Sequence, residues 1–337
     1  RPRGSAPCAT PWRTRRDAVL RRRRYDPAPG LPRGCGSIAV RGPHGRPRIR
    51  SGAGSRIRSG AGSRIRAGAR VPMTPDEIET AAADLLRAEA TRSQIGLLSR
   101  RHPGMTLDEA YAIQSAQMAQ KLAQGRRIIG WKIGLTSKVM QDALGIDTPD
   151  SGVLYDDMWF ETGSTVPPGR FIQPRVEAEI AFVMKAPLDG DVTRADVLAA
   201  TEAVAPALEI LDTRILRVDP ETKRPRVIVD TVSDNAANAG IVLGSERHAP
   251  GTQDLRWTGA IVRRNGAVEA TGLGAAVLDD PVMGIVWLAR RMHRYGQRIE
   301  AGQVILSGSF IAPLECPPGT VIEADFGRFG SVSIAFG

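Results

Sequence analysis

The segment with the most potential chemistry reads Pro174-Arg175-Val176-Glu177-Ala178-Glu179-Ile180-Ala181-Phe182-Val183. Its apolar alternation predicts a strand over residues 176–184. Residues two apart on a strand share a face, so Glu177 and Glu179 project together while Val176, Ala178, Ile180 and Phe182 fill the other side. Adjacent carboxylates repel one another and lose hydration in an apolar strand. A solvated face, or an ion pair from Arg175 to one of them, accounts for this pattern without any function. Glu209 changes the weighing, because a lone acid inside Ala207-Leu208-Glu209-Ile210-Leu211 is costly to bury. Three carboxylates from two strands could share one hard divalent cation, which relieves both penalties together. Oxygen-only ligation selects magnesium, manganese or calcium over zinc, and an octahedral ion would keep positions open for substrate oxygens and water. The spacing leaves open whether the two strands are neighbours.

A second candidate is Lys132, set in Trp131-Lys132-Ile133-Gly134-Leu135-Thr136-Ser137 just before a glycine-containing turn. Its stem could lie along apolar surface with the ammonium in water. Equally, one of only five lysines in the chain, in this setting, is a candidate for holding a substrate carboxylate. Asp150 reads as a turn former within Asp147-Thr148-Pro149-Asp150-Ser151-Gly152, and Asp234-Asn235-Ala236-Ala237-Asn238 is turn-like in the same way. Gly272-Leu273-Gly274 starts like a dinucleotide fingerprint. Val277 stands where the third glycine belongs and the segment follows a hairpin, so no cofactor loop is expected. No Walker, HExxH or G-x-S-x-G element occurs.

These side chains need elements to aim them. Thr74-Pro75-Asp76-Glu77 is a capping box with proline at the first helical position, predicting a helix to about residue 90. Thr106-Leu107-Asp108-Glu109 repeats the device, and Gly125 is a stop for that second helix. Strands are expected at 128–133 and 207–211, a short helix at 137–144 ended by Gly145, and a helix at about 194–204. Asn265-Gly266 predicts a hairpin between 260–264 and 267–270. An amphipathic helix follows at 281–295, stopped by Gly296, then strands at 304–307, 320–324 and 331–335. This order is α+β: a mixed, β-rich core with a helical N-terminal part, without the regular βα alternation of a doubly wound sheet. The domain reading is a tail at 1–72, a helical part at 73–150 and a β-rich catalytic domain at 151–337.

The formal charge of +10 over 337 residues suggests a nucleic-acid binder until it is divided along the chain. Residues 1–72 hold 19 of the 46 basic residues, all Arg, against Asp17 and Asp26. The rest of the chain has 27 basic and 34 acidic residues, a balance of −7. The positive charge therefore belongs to the tail, where Arg21–Arg24 and the repeat Arg48-Ile49-Arg50-Ser51-Gly52-Ala53-Gly54-Ser55 predict disorder. A nucleic-acid arm, a transit peptide, or upstream sequence translated from an early start all suit that composition; Met73 before a well-formed helix start favours the last. No apolar run approaches the roughly 20 residues of a membrane helix. Cys316 is the one cysteine beyond the tail, which excludes a disulfide framework there and fits a cytoplasmic setting. Scarcity of His and Cys argues against zinc.

From about Met73 onward the chain resembles the hydratase/decarboxylase branch of the fumarylacetoacetate hydrolase superfamily. The likeness is carried by Gly130-Trp131-Lys132-Ile133-Gly134-Leu135-Thr136-Ser137, Pro149-Asp150-Ser151-Gly152, Asp156-Asp157-Met158 and Pro174-Arg175-Val176-Glu177-Ala178-Glu179. It continues through Pro206-Ala207-Leu208-Glu209-Ile210, Asp219-Pro220-Glu221-Thr222, the run from Asp230 to Asn238, and Gly302-Gln303-Val304-Ile305-Leu306-Ser307-Gly308-Ser309-Phe310. The resemblance implies the superfamily's β-roll. It implies Mg²⁺ or Mn²⁺ on Glu177, Glu179 and Glu209, with Lys132 and Asp150 at the positions of the active-site lysine and aspartate. Lys132 would hold the substrate carboxylate, Asp150 would serve as general acid and base, and amides near Gly308 and Ser309 would assist in substrate binding. The implied activity is addition of water to an unsaturated 2-oxo diacid, 2-oxohept-3-ene-1,7-dioate. Asp234-Asn235-Ala236-Ala237-Asn238 looks like the seven-carbon diacid enzymes, whereas the five-carbon hydratases carry Asp-Asn-Ala-Ser. The insert at 217–226 also looks like theirs; its arginines either receive the distal carboxylate or form a solvated basic loop. The alternatives are an oxalocrotonate-type decarboxylase, a 2-oxopent-4-enoate hydratase and an acylpyruvate hydrolase or isomerase. The family resemblance further implies a homo-oligomer, a decamer, with neither nucleic acid nor membrane as partner.

Overall fold

The computed structural model describes residues 71–138, 141, 146 and 148–337. The expected Arg/Gly-rich tail up to residue 70, and most of the expected short helix at 137–144 with its Gly145 stop, lie outside the described residues. Both capping boxes form. Helix α1 (Pro75–Thr91) starts with Thr74 Oγ1 accepting from the Glu77 amide at 3.2 Å while the Glu77 carboxylate accepts from the Thr74 amide at 2.8 Å. Thr106 and Glu109 repeat the pair at the start of α3 (Leu107–Ala123), and α2 (Leu98–Arg101) is a single turn between them. Each closed box is worth about 1 kcal/mol. Ala81, Leu85, Leu98, Ile113, Ile215 and Val232 form a small core of their own beneath these helices.

The larger core lies under a mixed sheet ordered β2 (Asp150–Tyr155), β1 (Ile128–Gly134), β10 (Val304–Ser309), β5 (Arg175–Met184), β6 (Thr201–Leu211), β7 (Asn238–Leu243) and β3 (Trp159–Glu161), with β11 (Leu314–Glu315) pairing the start of β5. This sheet draws strands from both sides of residue 150. A second sheet runs β4 (Thr165–Val166), β13 (Ser331–Phe336), β12 (Val321–Asp325), β8 (Gly259–Arg264) and β9 (Ala267–Leu273). Asn265 and Gly266 join β8 to β9 with φ of 52° and 83°, the left-handed pair a tight hairpin turn requires. Helix α5 (Ile228–Ser233) contributes Val232 to the smaller core, and helix α6 (Pro281–Arg294) packs its buried face, including Ile285 and Leu288, against β10 and β1. No helix of the described residues is long and apolar enough to cross a membrane.

One element departs from expectation. The helix expected at about 194–204 is the shorter α4 (Arg194–Ala200), and β6 begins at once. Thr201 Oγ1 donates to the Val197 carbonyl at 2.7 Å and closes the last turn. Beyond it Ala203, Val204 and Ala205 pair with Val183, Phe182 and Ala181 of β5. Pro206, without an amide hydrogen, cannot extend a helix. The separate strand expected at 207–211 is the far end of this longer one.

Candidate metal centre and active site

Pairing of β5 with β6 sets Glu177 directly opposite Glu209, and Glu179 lies two residues along the same face. One carboxylate oxygen from each of the three lies within 4.8 Å of the others. Glu179 and Glu209 are fully buried, so a solvated face does not describe them, while Glu177 is partly open. Arg175 does not neutralise the group; it pairs with Glu315 at 2.6 Å. Gly308 donates its amide to Glu179 Oε2 at 2.7 Å, from a backbone with φ of 117° that favours glycine. The other Glu179 oxygen and both Glu209 oxygens accept no hydrogen bond. Buried carboxylates are normally satisfied, and this set of oxygens without hydrogen bonds fits a hard divalent cation.

Strand β1 inserts between β2 and β10, and Lys132 pairs with Gly152 on one side and Leu306 on the other. Its ammonium does not reach water. Lys132 is 3% exposed, with Nζ 3.4 Å from Glu209 Oε1 and 4.0 Å from Asp150 Oδ1. Asp150 is the first residue of β2 rather than part of a turn, buried beside Gly134. A Cβ on Gly134 would meet Asp150 Oδ1 and come within 2.8 Å of Lys132 Nζ, so any larger residue there must displace one of these two side-chain ends. Ser309 lies opposite Glu179, but its hydroxyl is engaged with the backbone, donating to the Ile311 carbonyl at 2.8 Å; the amide that meets the acidic group is that of Gly308.

The charges perturb one another strongly. Burial, then repulsion from Glu209, pushes Glu177 up to about 8, and burial, then Glu177, pushes Glu179 up to about 8. Burial also lifts Glu209 well above the usual carboxylate range. It raises Asp150 too, against the opposing pull of Lys132 and Arg226. Burial works against the Lys132 charge, yet Glu209 and Asp150 together hold its affinity for the proton above that of ordinary lysine. Four acids around one base is an arrangement that cannot stay fully ionised by itself.

The segment at 234–238, turn-like by its composition and part of the family resemblance, supports the site from behind β2. Asn235, Ala236 and Ala237 all have left-handed backbone, with φ of 51°, 52° and 58°, which costs about 1–2 kcal/mol per non-glycine residue. Asn235 offsets this by clamping β2: its side chain accepts from the Val153 amide at 2.8 Å and donates to the Val153 carbonyl at 3.0 Å. Beneath it Arg214 pairs with Asp234 and donates to the Asn238 carbonyl at 3.2 Å. Asparagine tolerates this conformation and hinted at it; two alanines gave no such signal. Separately, a cavity of about 270 Å³ is lined by Asp108, Tyr111, Trp131, Arg291 and Tyr295, and Glu177, Glu179, Glu209, Asp150 and Lys132 are not among its lining residues. Trp131 precedes Lys132 on β1, so it faces the opposite side of the sheet.

No family model matches the chain. It is 48% identical over 256 residues to the 2-oxo-hept-4-ene-1,7-dioate hydratase of Escherichia coli, covering 76% of this chain and 96% of that protein. It is 43% identical over 265 residues to a 2-keto-4-pentenoate hydratase of Paraburkholderia xenovorans (strain LB400), covering 78% and 96%. Among solved structures, the 4-oxalocrotonate decarboxylase of Pseudomonas putida G7, complexed with magnesium and adipate, superposes with a TM-score of 0.74 at 33% identity, covering 80% of this chain and 100% of that one. The same decarboxylase has also been solved with calcium and acetate.

Proposed function

The chain belongs to the hydratase/decarboxylase branch of the fumarylacetoacetate hydrolase superfamily, and from that premise we propose that it is a divalent-metal-dependent hydratase of a seven-carbon unsaturated 2-oxo diacid. The observation that carries this is the convergence of Glu177, Glu179 and Glu209, with oxygens that accept no hydrogen bond, beside buried Lys132 and Asp150. Glu177, Glu179 and Glu209 would hold Mg²⁺, or Mn²⁺ in its place. Such an ion supplies Lewis-acid stabilisation of negative charge developing on a 2-oxo acid.

The chain's own groups have distinct work. Lys132 Nζ, held cationic chiefly by Glu209, receives the substrate's C1 carboxylate and offsets charge that develops beside it. Asp150, its carboxyl raised by burial, holds a proton at Oδ1 and exchanges it with substrate carbon and with the entering water as general acid and base. Gly308 orients Glu179 through its amide. Water then adds at C4 of the conjugated ketone, giving 4-hydroxy-2-oxoheptanedioate. The 3-ene expected from the sequence and the 4-ene in the relative's name differ by one allylic shift and share a single dienol, 2-hydroxyhepta-2,4-dienedioate. Family membership alone supports the decameric assembly, which sedimentation tests, and the cytoplasmic location, which fractionation tests.

The experiment uses protein stripped with chelator, then resupplied with Mg²⁺ or Mn²⁺, and follows dienoate absorbance with five- to seven-carbon substrates. Metal-restored hydration of the seven-carbon diacid without CO₂ release is expected. Full activity in excess chelator refutes the metal role, and CO₂ release moves the assignment to the decarboxylase.

A further inference from the structure

We propose that Arg175, Arg217 and Arg226 form a seat for the second carboxylate of the substrate and thereby select dicarboxylic over monocarboxylic 2-oxo acids. This rests on the proposed function. Arg175 shares its face of β5 with Glu177 and Glu179, so its side chain leaves the sheet beside the acidic cluster, about 7 Å along the strand from Glu177. Residues 217–226 fold as a short hairpin: the Arg226 amide donates to the Arg217 carbonyl at 2.9 Å, and Val218 bridges Pro225. Asp219 ties its turn, accepting from the amides of Glu221 at 3.0 Å and Thr222 at 2.7 Å and from Arg100 at 2.8 Å. The neck of the hairpin therefore presents two arginines from a fixed frame.

The three guanidiniums are under-neutralised. Glu315 Oε1 serves two of them, Arg175 at 2.6 Å and Arg217 at 3.4 Å. Arg226 donates to Thr213 Oγ1 at 2.7 Å and has no carboxylate within ion-pair distance among the described residues. Asp234 is already paired with Arg214. The Nε atoms of Arg175 and Arg217 are buried without a hydrogen-bond partner. Burial, then the proximity of Arg175 and Arg226, pushes Arg217 down to about 10. Like charges crowded with spare donors beside a substrate site are relieved by an anion, and guanidinium forks match a carboxylate. A substrate with C1 at Lys132 and a carboxylate at its far end supplies that anion; a five-carbon monoacid does not.

The test compares Arg226→Gln with wild type on 2-hydroxyhepta-2,4-dienedioate and 2-hydroxypenta-2,4-dienoate. Losing a charge-assisted pair should lower kcat/KM for the diacid, through KM, about 10- to 100-fold more than for the monoacid, since any change in Asp150 protonation is common to both substrates, and Arg226→Lys should recover part of the loss. Calorimetry with adipate in Mg²⁺ gives a readout independent of turnover: wild type binds and Arg226→Gln binds at least about tenfold more weakly. Arg217→Gln, made separately, carries the same expectation if Arg226→Gln does not fold. Equal losses on both substrates, or unchanged adipate binding, overturn the seat. So does diacid-specific loss in Arg291→Gln, across the sheet, with Arg226→Gln unaffected. Wild type inactive on both dienoates overturns the functional reading instead, and adipate binding still decides the seat.

Discussion

Replacing Glu209 by Gln separates the acidic cluster's role in function from its role in stability. Glu177 and Glu179 titrate at about 8, and burial lifts Glu209 well above the usual carboxylate range, so the charged form of Glu209 can be weighed against its neighbours. At an effective dielectric of about 20, Glu209 gains about 5 kcal/mol from Lys132 Nζ at 3.4 Å. Repulsion from each of Glu177 and Glu179, at 4.8 Å or less, is about 3.5 kcal/mol or more, so the two together exceed that gain before any cost of burial. The metal-free Gln variant should therefore melt at or above wild type, by a few degrees at the usual 2–4 °C or so per kcal/mol. Adding Mg²⁺ reverses the order. Wild type at about 100 times its dissociation constant gains about 2.7 kcal/mol, and a variant lacking one ligand gains almost nothing. Thermal melts at pH 8.5 in chelator and in Mg²⁺ read both effects. A variant that melts well below wild type in chelator, yet keeps the full Mg²⁺ shift, would refute the reasoning.

Three further outcomes are expected. In chelator, stability should fall as pH rises from about 4.5 through 8, because the fold keeps Glu177 and Glu179 protonated where the unfolded chain releases those protons; saturating Mg²⁺ should remove that fall, as pH-dependent melts will show. Asp150→Asn should lower kcat about 10²- to 10⁴-fold while the Mg²⁺-induced melting shift persists, and an unchanged rate would move proton transfer to another group. Asn235→Ala should cost about 1–3 kcal/mol in denaturant unfolding, since it leaves the Val153 amide unpaired and removes the residue best suited to left-handed backbone; no loss would mean the clamp on β2 is idle.

The chain's local rules were legible without coordinates. Thr74 and Thr106 sit three residues before their glutamates, so both helix starts follow from reach within a single turn. Asn265-Gly266 dictates its hairpin because few other residues accept that backbone, and the two-residue period alone puts Glu177 and Glu179 on one face. What lay beyond the sequence was register between strands far apart in the chain. Glu209 opposes Glu177 rather than Ala178 only because β6 pairs β5 at that offset, and a one-residue slip would turn it to the other face. The same pairing ended α4 early, since ladder bonds and the missing amide of Pro206 outweighed local helix preference. Local pattern left Lys132 open between a surface lysine and a carboxylate binder and made Asp150 a turn former, because burial is a property of neighbours. Insertion of β1 between β2 and β10 turned both inward, and there, far from water, their charges must answer to one another and to three glutamates.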